Sequence, residues 1–266
     1  MKPTHGKILY KDQDTASFRR GDWMTYRRKV QMVFQDPYSI YNPIYKVERV
    51  LRFVIKKFNI TPEKDAPNLI EEALRTMRLR PQDVLGRYPH QLSGGERQRL
   101  MLARILIMKP ELIVADEPVS MLDVSLRATF LDKILELKRK FGISSLYVTH
   151  DLNTAYYVAD DVIVLCSGRI AENGKIELII KNPLHPYTQL LLRCIPNPDP
   201  KNRWQDEITV GLVTSMTLRK SDIWQGCIYR DRCPYAMEIC EKKPALVTIQ
   251  PDHDVACFLH HDFVKQ

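Results

Sequence analysis

The sequence of 266 residues has no apolar stretch long enough to cross a bilayer, and no apolar segment of a secretory signal at its start. A spanning helix needs about 18–20 apolar residues, and stretches such as 101–108 and 112–115 are much shorter. Hydrophobic residues make up 44% and charged residues 27% of the chain, which excludes disorder along its whole length. We therefore expect a cytosolic globular protein of one large domain, or of one domain with an appendage.

Glycines are few, and none of the ten stands in the pattern Gly-x4-Gly-Lys-Ser/Thr, the loop that cradles nucleotide phosphates. Lys7 and Lys175 each follow a glycine, but an isoleucine comes next in both cases. The residues five positions before those glycines are Met1 and Arg169. The sequence therefore contains no phosphate-binding loop of this type.

Acidic residues are scarce in the first quarter of the chain. Residues 1–60 hold 13 basic and 5 acidic side chains, whereas residues 61–266 hold 27 of each, so the whole net charge of +8 comes from the first segment. Such an excess is compatible with a basic patch for nucleic acid or anionic lipid. A solvated basic face is the simpler explanation, because no aromatic and glycine pattern of an RNA-binding module accompanies it.

Apolar runs alternate with amphipathic stretches along the chain. The runs predict strands at 7–10, 29–34, 112–115 and 145–148, and a hairpin at 162–165 and 169–171. The amphipathic stretches predict helices at 47–58, 68–77, 95–108 and 124–140, with Asp123 as the cap of the last. This alternation predicts an α/β fold with a largely parallel core.

Two adjacent carboxylates, Asp116 and Glu117, follow the apolar run 112–115. The carboxyl ends of parallel strands are where α/β proteins bind ligands. There Asp116 can hold Mg²⁺, and Glu117 can orient and deprotonate a water molecule that attacks a phosphoryl group. Strands that end in two acids are common, so the pair alone is weak evidence for such a site.

Ser93-Gly94-Gly95-Glu96 opens the predicted helix 95–108 and is a more specific signal. Ser93 and Glu96 have the spacing of a capping box. The two glycines leave the backbone N–H groups at the helix start open to an anion. At an ordinary helix start a Gly-Gly pair would be unfavourable, because glycine destabilises a helix. The pattern therefore predicts a site for a γ-phosphate.

The order of these motifs over residues 4–195 resembles that of the ATP-binding subunits of ATP-binding-cassette (ABC) transporters. A Leu-Ser-Gly-Gly signature lies 20–24 residues before the acid pair, and the segments 33–37, 120–123 and 148–151 look like the family's Q-loop, D-loop and switch-histidine loop. A finer likeness to the oligopeptide, dipeptide and nickel importer branch rests on residues 37–43, 185–191 and 226–257.

This resemblance implies the domain organisation. Residues 1–195 would form a P-loop-NTPase-like ABC nucleotide-binding domain, N-terminally truncated, with a helical subdomain at about 38–108. A proline-rich linker would occupy 196–200, and a small cysteine-containing C-terminal extension would occupy 201–266.

The resemblance also implies roles for single residues. Asp116 and Gln35 would hold Mg²⁺, Glu117 would be the general base, and His150 would hold the γ-phosphate and the attacking water. Gln35 would also link the site to the membrane subunits. Nucleotide binding is assigned to the signature residues, which would contact ATP held by the opposing subunit, and to the D-loop: Ser93, Gly94, Gly95 and Asp123.

The implied function is ATP binding and hydrolysis that energises import of peptides, or of nickel, at the cytoplasmic face of the cell membrane. The implied partners are a second ABC ATPase subunit, two membrane-spanning permease subunits and, indirectly, an extracytoplasmic solute-binding protein, with no nucleic acid. Three alternatives stay open: a degenerate subunit that donates its signature to a complete partner, a nucleic-acid-associated ABC protein, and a redox or cluster-carrying protein centred on residues 201–266.

Four of the six cysteines lie in the last 40 residues: Cys227, Cys233, Cys240 and Cys257. Their spacing lacks the two C-x2-C pairs of common zinc sites. Four thiolates suit a 4Fe-4S iron–sulfur cluster, which the resemblance to the importer branch also implies, whereas four reduced thiols that pack a small domain are the alternative. Cys166 and Cys194 are expected to be inert core residues.

The resemblance places the absent phosphate-binding loop upstream of Met1, so that the chain looks like a family member without its first ~60 residues. The strand that leads into this loop is expected to lie next to 112–115. Its loss would expose apolar surface and unpaired backbone groups.

Overall fold

The computed structural model describes residues 3–36, 41–122, 124–195 and 226–260. Contacts divide the chain into two compact units, Met1–His150 and Asp151–Gln266. This division lies before the linker predicted at 196–200, which is outside the described residues. Within the described ranges, no helix has both the length and the apolar character that a bilayer crossing requires.

The first unit contains a parallel sheet of three strands. A short hairpin, β1 (Leu9–Tyr10) and β2 (Gln13–Asp14), and helix α1 (Arg20–Lys29) precede it. The sheet has the strand order β3-β4-β5, and its strands are β3 (Val30–Val33), β4 (Leu112–Asp116) and β5 (Ser144–Val148). The predicted parallel core is thereby confirmed.

Helices of the first unit follow β3 and β4 along the chain. They are α2 (Glu48–Lys57), α3 (Ala66–Thr76), α4 (Pro81–Val84), α5 (Gly94–Met108) and α6 (Val124–Phe141). Helix α5 contacts α2 and α3, and most of its residues are buried on all sides. A helix of this kind is held by the core around it rather than by one amphipathic face.

The two faces of this sheet differ in exposure. Val33 and Ala115, register neighbours on one face, are fully buried. On the other face Met32, Val114 and Leu146 lie side by side, and Met32 and Leu146 are 38% and 52% exposed. An apolar sheet face is therefore open to solvent in the first unit.

The position predicted for a further strand, next to residues 112–115, is wrong. β4 already pairs with β3 on one side and with β5 on the other. Among the described residues, a further parallel strand has room only at the outer edges of β3 and β5. The error arose because an apolar run predicts a buried strand but not the order of its neighbours.

The second unit contains an antiparallel sheet of four strands in the order β6-β7-β9-β8. Its elements are α7 (Leu152–Val158), β6 (Asp161–Cys166), β7 (Arg169–Lys175), α8 (Ile176–Lys181), α9 (Pro186–Arg193), β8 (Val247–Gln250) and β9 (His253–Val255). The hairpin predicted around residues 167 and 168 is the β6–β7 pair.

Residues 226–260 share the sheet and the core of this second unit, although the sequence predicts an appendage behind a linker. β9 pairs with β7, and Tyr229 packs in one buried cluster with Val164 and Ile179. Gly174 permits the close approach, because a Cβ at this position would lie 2.2 Å from the Asp252 carbonyl oxygen.

A buried glutamate holds three parts of the second unit together. Glu172, on β7, accepts hydrogen bonds from the backbone N–H groups of Leu184 (2.8 Å) and His185 (3.0 Å). Its Oε1 also lies 2.7 Å from His253 Nε2, and both side chains are fully buried. Gln250 Nε2 lies 3.3 Å from His253 Nδ1 and can only donate, so the ring proton is on Nε2 and points to the carboxylate.

Candidate active site

The carboxyl ends of β3, β4 and β5 bring the predicted catalytic residues to one edge of the sheet. The register aligns Val33 with Ala115, and Asp116 with Val148. Gln35, Glu117 and His150 lie just beyond these strand ends. This is the edge at which parallel sheets bind ligands.

Glu117 and His150 are in direct contact. Glu117 Oε1 accepts a hydrogen bond from the His150 backbone N–H at 2.9 Å and lies 2.6 Å from His150 Nδ1. The Glu117 side chain is 19% exposed, whereas that of His150 is 81% exposed. The carboxylate is thus held in place, while the imidazole is free to turn towards a ligand. Such a pair can orient a water molecule and accept its proton.

The backbone at Glu117 is in the left-handed region, with φ of 44°. Its N–H donates to the Val148 carbonyl oxygen at 2.9 Å, and its own carbonyl oxygen accepts from Ser120 N (3.2 Å) and Ser120 Oγ (2.9 Å). A non-glycine residue in this region carries a strain of about 1–2 kcal/mol. The turn therefore fixes the carboxylate at a cost in stability, which is common at functional sites.

Asp116 and Gln35 supply oxygen atoms at the same edge. Asp116 is half-buried at the end of β4, and Gln35 is exposed in a bend after β3. No group of three or more His, Cys, Asp and Glu side chains in the described ranges has the arrangement of a metal site. Mg²⁺ nevertheless needs only one or two protein oxygens when phosphates and water complete its shell, so this pair fits Mg²⁺.

The start of α5 has the predicted capping box. Ser93 N and Oγ both donate to Glu96 Oε2 at 2.8 Å, and Glu96 N donates to Ser93 Oγ at 3.3 Å. The Ser93 N–H bond holds the pKa of Glu96 below its ordinary value. Ser93 is exposed and Gly94 is half-exposed, so this helix start is accessible to an anion.

Gly95 has a packing role that the sequence analysis missed. A Cβ at this position would lie 2.7 Å from a methyl group of Leu126 on α6. The second glycine of the pair therefore lets α6 approach α5, in addition to leaving the helix start open.

Gln98, which the sequence analysis also missed, links α5 to the turn after Glu117. It is fully buried, and its Nε2 donates to the Pro118 carbonyl oxygen at 2.6 Å. Its neighbours Glu96, Arg97 and Arg99 are charged, so nothing in the local sequence distinguishes Gln98 as a buried residue.

Arg97 and Tyr41 support the same helix start. Arg97 Nε donates to the Leu92 carbonyl oxygen at 3.0 Å, and Tyr41 Oη donates to the Arg97 carbonyl oxygen at 3.1 Å. Burial raises the pKa of Tyr41, so the hydroxyl stays protonated and remains a donor. These contacts hold Leu92, which precedes Ser93.

Some predicted residues lie outside the described ranges. Asp123, assigned to the D-loop and to nucleotide binding, is one of them, and residues 37–40 of the Q-loop extension are others.

The four C-terminal cysteines line one small cavity of the second unit: Cys227, Cys233, Cys240 and Cys257. Burial raises the pKa of Cys257 to about 11, and the neighbouring thiols add to the shift. Burial also raises the pKa values of Cys227 and Cys233. The thiols of Cys227, Cys233 and Cys257 are therefore protonated at neutral pH. Cys166 is buried, as predicted, whereas the core position predicted for Cys194 is wrong, because Cys194 is exposed and does not line this cavity.

Two known families match this sequence. Residues 1–120 match the family described as ABC transporter, and residues 171–240 match the family described as oligopeptide/dipeptide transporter, C-terminal region. A Brucella ovis protein named for peptide import and ATP binding is 37% identical over 258 residues, which span 97% of this chain and 80% of that protein. The oligopeptide transport ATP-binding protein AppF of Bacillus subtilis is 38% identical over 264 residues, 97% of this chain and 78% of AppF.

Solved structures give the same fold. CbiO1 of Clostridium perfringens, part of an ABC transporter complex, aligns with a TM-score of 0.60 at 24% identity, over 68% of this chain and 70% of CbiO1. The ATP-binding cassette MJ0796, a dimer bound to ADP and phosphate, aligns with a TM-score of 0.57 at 27% identity, over 66% of this chain and 75% of that one. The predicted α/β fold of ABC ATPases with a helical subdomain is confirmed.

Proposed function

Because this chain belongs to the ABC transporter family of ATP-binding proteins, with the C-terminal region of oligopeptide/dipeptide transporters, we propose that it hydrolyses ATP to power peptide import. The observation that carries the proposal is the contact between Glu117 and His150 at the carboxyl edge of the sheet, where Glu117 Oε1 lies 2.6 Å from the imidazole. The chain would work as a peripheral subunit at the cytoplasmic face of the cell membrane.

Glu117 acts as the general base in this proposal. Its carboxylate takes a proton from the water that attacks the γ-phosphate in line with the leaving group. His150 is mostly exposed, so its ring can leave the carboxylate and donate a hydrogen bond to the γ-phosphate. The His150 backbone N–H stays with Glu117 and keeps the carboxylate oriented.

Asp116 and Gln35 would hold Mg²⁺ through their oxygen atoms, directly or through water. The ion, when bound, neutralises charge on the phosphate oxygens. Gln35 lies on the segment that leads into the α2–α5 region, so a change at the ion site can be passed to that region.

Ser93, Gly94 and Gly95 would contact ATP held by a second ATP-binding subunit. The exposed helix start presents backbone N–H groups and a positive dipole end to the γ-phosphate. Ser93 Oγ would then exchange its bond to Glu96 for a phosphate oxygen. The pattern Gly-x4-Gly-Lys-Ser/Thr does not occur in these 266 residues, so no residue named here is assigned the role of the loop that cradles the ATP phosphates.

The test is ATP hydrolysis by this chain assembled with its second ATP-binding subunit and its permease subunits in proteoliposomes. We expect hydrolysis that rises when a peptide-loaded solute-binding protein is added, together with peptide accumulation. A complex that assembles but neither hydrolyses ATP nor accumulates peptide contradicts the proposal.

A surface groove beside α2 supports a permease as the partner. The groove has a volume of about 190 Å³ and is lined mainly by aromatic and aliphatic side chains of residues 41–53. Phe53 is 56% exposed, and the Arg49 guanidinium lies 3.4 Å from the centroid of the Tyr45 ring. We propose that a cytoplasmic helix of the permease inserts an apolar side chain here.

Phe53→Asp is expected to weaken association with the permease about tenfold or more, because a charge in an apolar contact removes a central anchor. Co-purification from detergent, or binding to permease in nanodiscs, measures the effect. Arg52→Ala is the matched control, since Arg52 points to Glu63, with which it forms an ion pair at 3.3 Å. Equal binding by wild type and Phe53→Asp would remove the groove from the docking surface.

We propose that the four cavity-lining cysteines hold a 4Fe-4S cluster. The donor set has the right number and type, because four thiols line one cavity and each iron of such a cluster takes one thiolate. In the described residues the four side chains are not grouped as metal ligands, so the loops that carry them would have to close around the cluster. The bound cluster would deprotonate the thiols and cross-link the loops that carry them.

Anaerobically purified protein should contain iron and acid-labile sulfide and absorb visible light, and Cys240→Ser should lose these signals. Cys194→Ser, an exposed cysteine outside the cavity, serves as the control and should keep them. Purified wild-type protein that takes up no iron on anaerobic reconstitution would favour four reduced structural thiols.

A further inference from the structure

A fully buried glutamine joins the helix that carries the signature to the turn that carries the general base. Gln98 Nε2 donates to the carbonyl oxygen of Pro118 at 2.6 Å, and Pro118 directly follows Glu117. Gln98 lies one helical turn after Gly94, on the same face of α5. A displacement of the helix start therefore acts on the residue next to Glu117.

Chemistry fixes the orientation of this amide. The Pro118 carbonyl oxygen can only accept a hydrogen bond, so reversing the amide would set two acceptor oxygens against each other. Gln98 Oε1 is consequently buried, and no donor of the described residues lies within hydrogen-bonding distance of it. An unpaired buried carbonyl oxygen destabilises the arrangement that contains it, which favours a second arrangement in which this oxygen gains a donor.

Helix α5 is suited to transmit a displacement as a rigid body. It is buried along most of its length and contacts α2 and α3. Its start is fixed by the Ser93–Glu96 capping box. At the other end of the link, the Glu117 turn is strained, with φ of 44°, so a small shift of Pro118 changes where the carboxylate points.

We propose that Gln98 is a positioning residue that couples the two ATP sites of the assembled subunit pair. ATP held by the opposing subunit binds at the start of α5, and the link through Gln98 and Pro118 adjusts Glu117, which serves the other ATP site. The inference rests on the proposed function, because only in such a pair do the signature and Glu117 belong to different sites.

The first measurement is amide hydrogen exchange on the isolated full chain, which needs no activity. In Gln98→Met, the amides of Ser120 and Leu122, which close the turn after Glu117, should exchange about tenfold faster, the effect of losing one typical hydrogen bond. The amides of residues 100–107 in α5 should keep their rates. Gln82→Met changes an exposed glutamine on α4 and should leave both sets unchanged.

The second measurement is ATP hydrolysis by the assembled transporter. Gln98→Met should lower kcat about tenfold with KM within about twofold, and should bring the Hill coefficient for ATP towards 1. A residue that only stabilises the fold would lower the amount of active protein and leave the Hill coefficient of the folded fraction unchanged. Gln98→Glu can donate to Pro118 only when the introduced carboxyl is protonated, so faster exchange at Ser120 and Leu122 should appear above the pKa of that carboxyl and disappear below it.

The two measurements separate the inference from the proposed function. Unchanged exchange at Ser120 and Leu122 in both Gln98 variants overturns the link, whatever the transporter does. Faster exchange at Ser120 and Leu122 in a Gln98 variant whose Hill coefficient for ATP is unchanged overturns the proposed coupling between the two ATP sites. A wild-type transporter without ATP hydrolysis contradicts the proposed function, while the exchange rates still decide whether the link exists. If Gln98→Met does not fold, Gln98→Glu carries both measurements.

Discussion

Glu117→Gln is expected to lower hydrolysis at its own ATP site by about 10²- to 10⁴-fold, the range over which a general base contributes. The amide keeps the volume and can still accept from the His150 backbone N–H, which lies 2.9 Å from Oε1. It cannot take a proton from water. ATP binding should therefore persist while turnover is lost.

The second ATP site would mask this effect, so the assay is run in a complex whose other subunit already lacks its own catalytic carboxylate. The rate that remains then reports Glu117. The matched control is Glu111→Gln at the opposite end of β4, where Glu111 pairs with Lys11 (3.0 Å) and Lys29 (3.2 Å). A Glu117→Gln rate within twofold of the Glu111→Gln rate would show that another group is the base.

Glu172→Ala is expected to destabilise the second unit by about 3–5 kcal/mol, the usual effect of removing one partner of a buried ion pair or hydrogen-bonded charge. The change leaves His253 without its acceptor in a site with no exposed surface. It also leaves the N–H groups of Leu184 and His185 without theirs. The loss therefore affects β7, β9 and the start of α9 together.

Hydrogen exchange under native conditions measures the loss of stability separately in each of the two units. The amides of β7 and β9 should lose protection, while those of β4 and α5 keep theirs as an internal reference. Glu177→Ala on α8 is the control, because Glu177 is 71% exposed and exposed pairs contribute about 0–1 kcal/mol. Equal protection in the Glu172 and Glu177 variants would mean that the carboxylate is not what holds residues 226–260 to the sheet.

The sequence was sufficient to predict the elements whose signals are local. The strand predicted at 112–115 is a continuous apolar run, and Ser93 and Glu96 form a cap within one helical turn, so both are visible in a short window. The resemblance to ABC ATP-binding subunits, and not the apolar runs alone, indicated that Glu117 and His150 belong to one site.

Other features depend on partners distant in the chain. Helix α1 was not predicted, because four of its ten residues are basic and its aromatic side chains meet Tyr10 and Phe18 rather than a buried face. The pairing of β9 with β7 joins residues 81 positions apart at Glu172 and His253. Gln98 gains its partner only when α5 lies against the turn at Pro118. Periodicity carries no information about such contacts.

Because the backbone at Glu117 is left-handed, the residue that would make the turn most stable differs from the residue that ATP hydrolysis requires. Glycine there would relax the main chain and remove the carboxylate in the same step. A library screened only for thermal robustness should therefore enrich glycine or asparagine at 117, whereas a library screened for peptide-dependent growth should return the acid. The residue that best suits the turn and the residue that best suits the reaction are not the same.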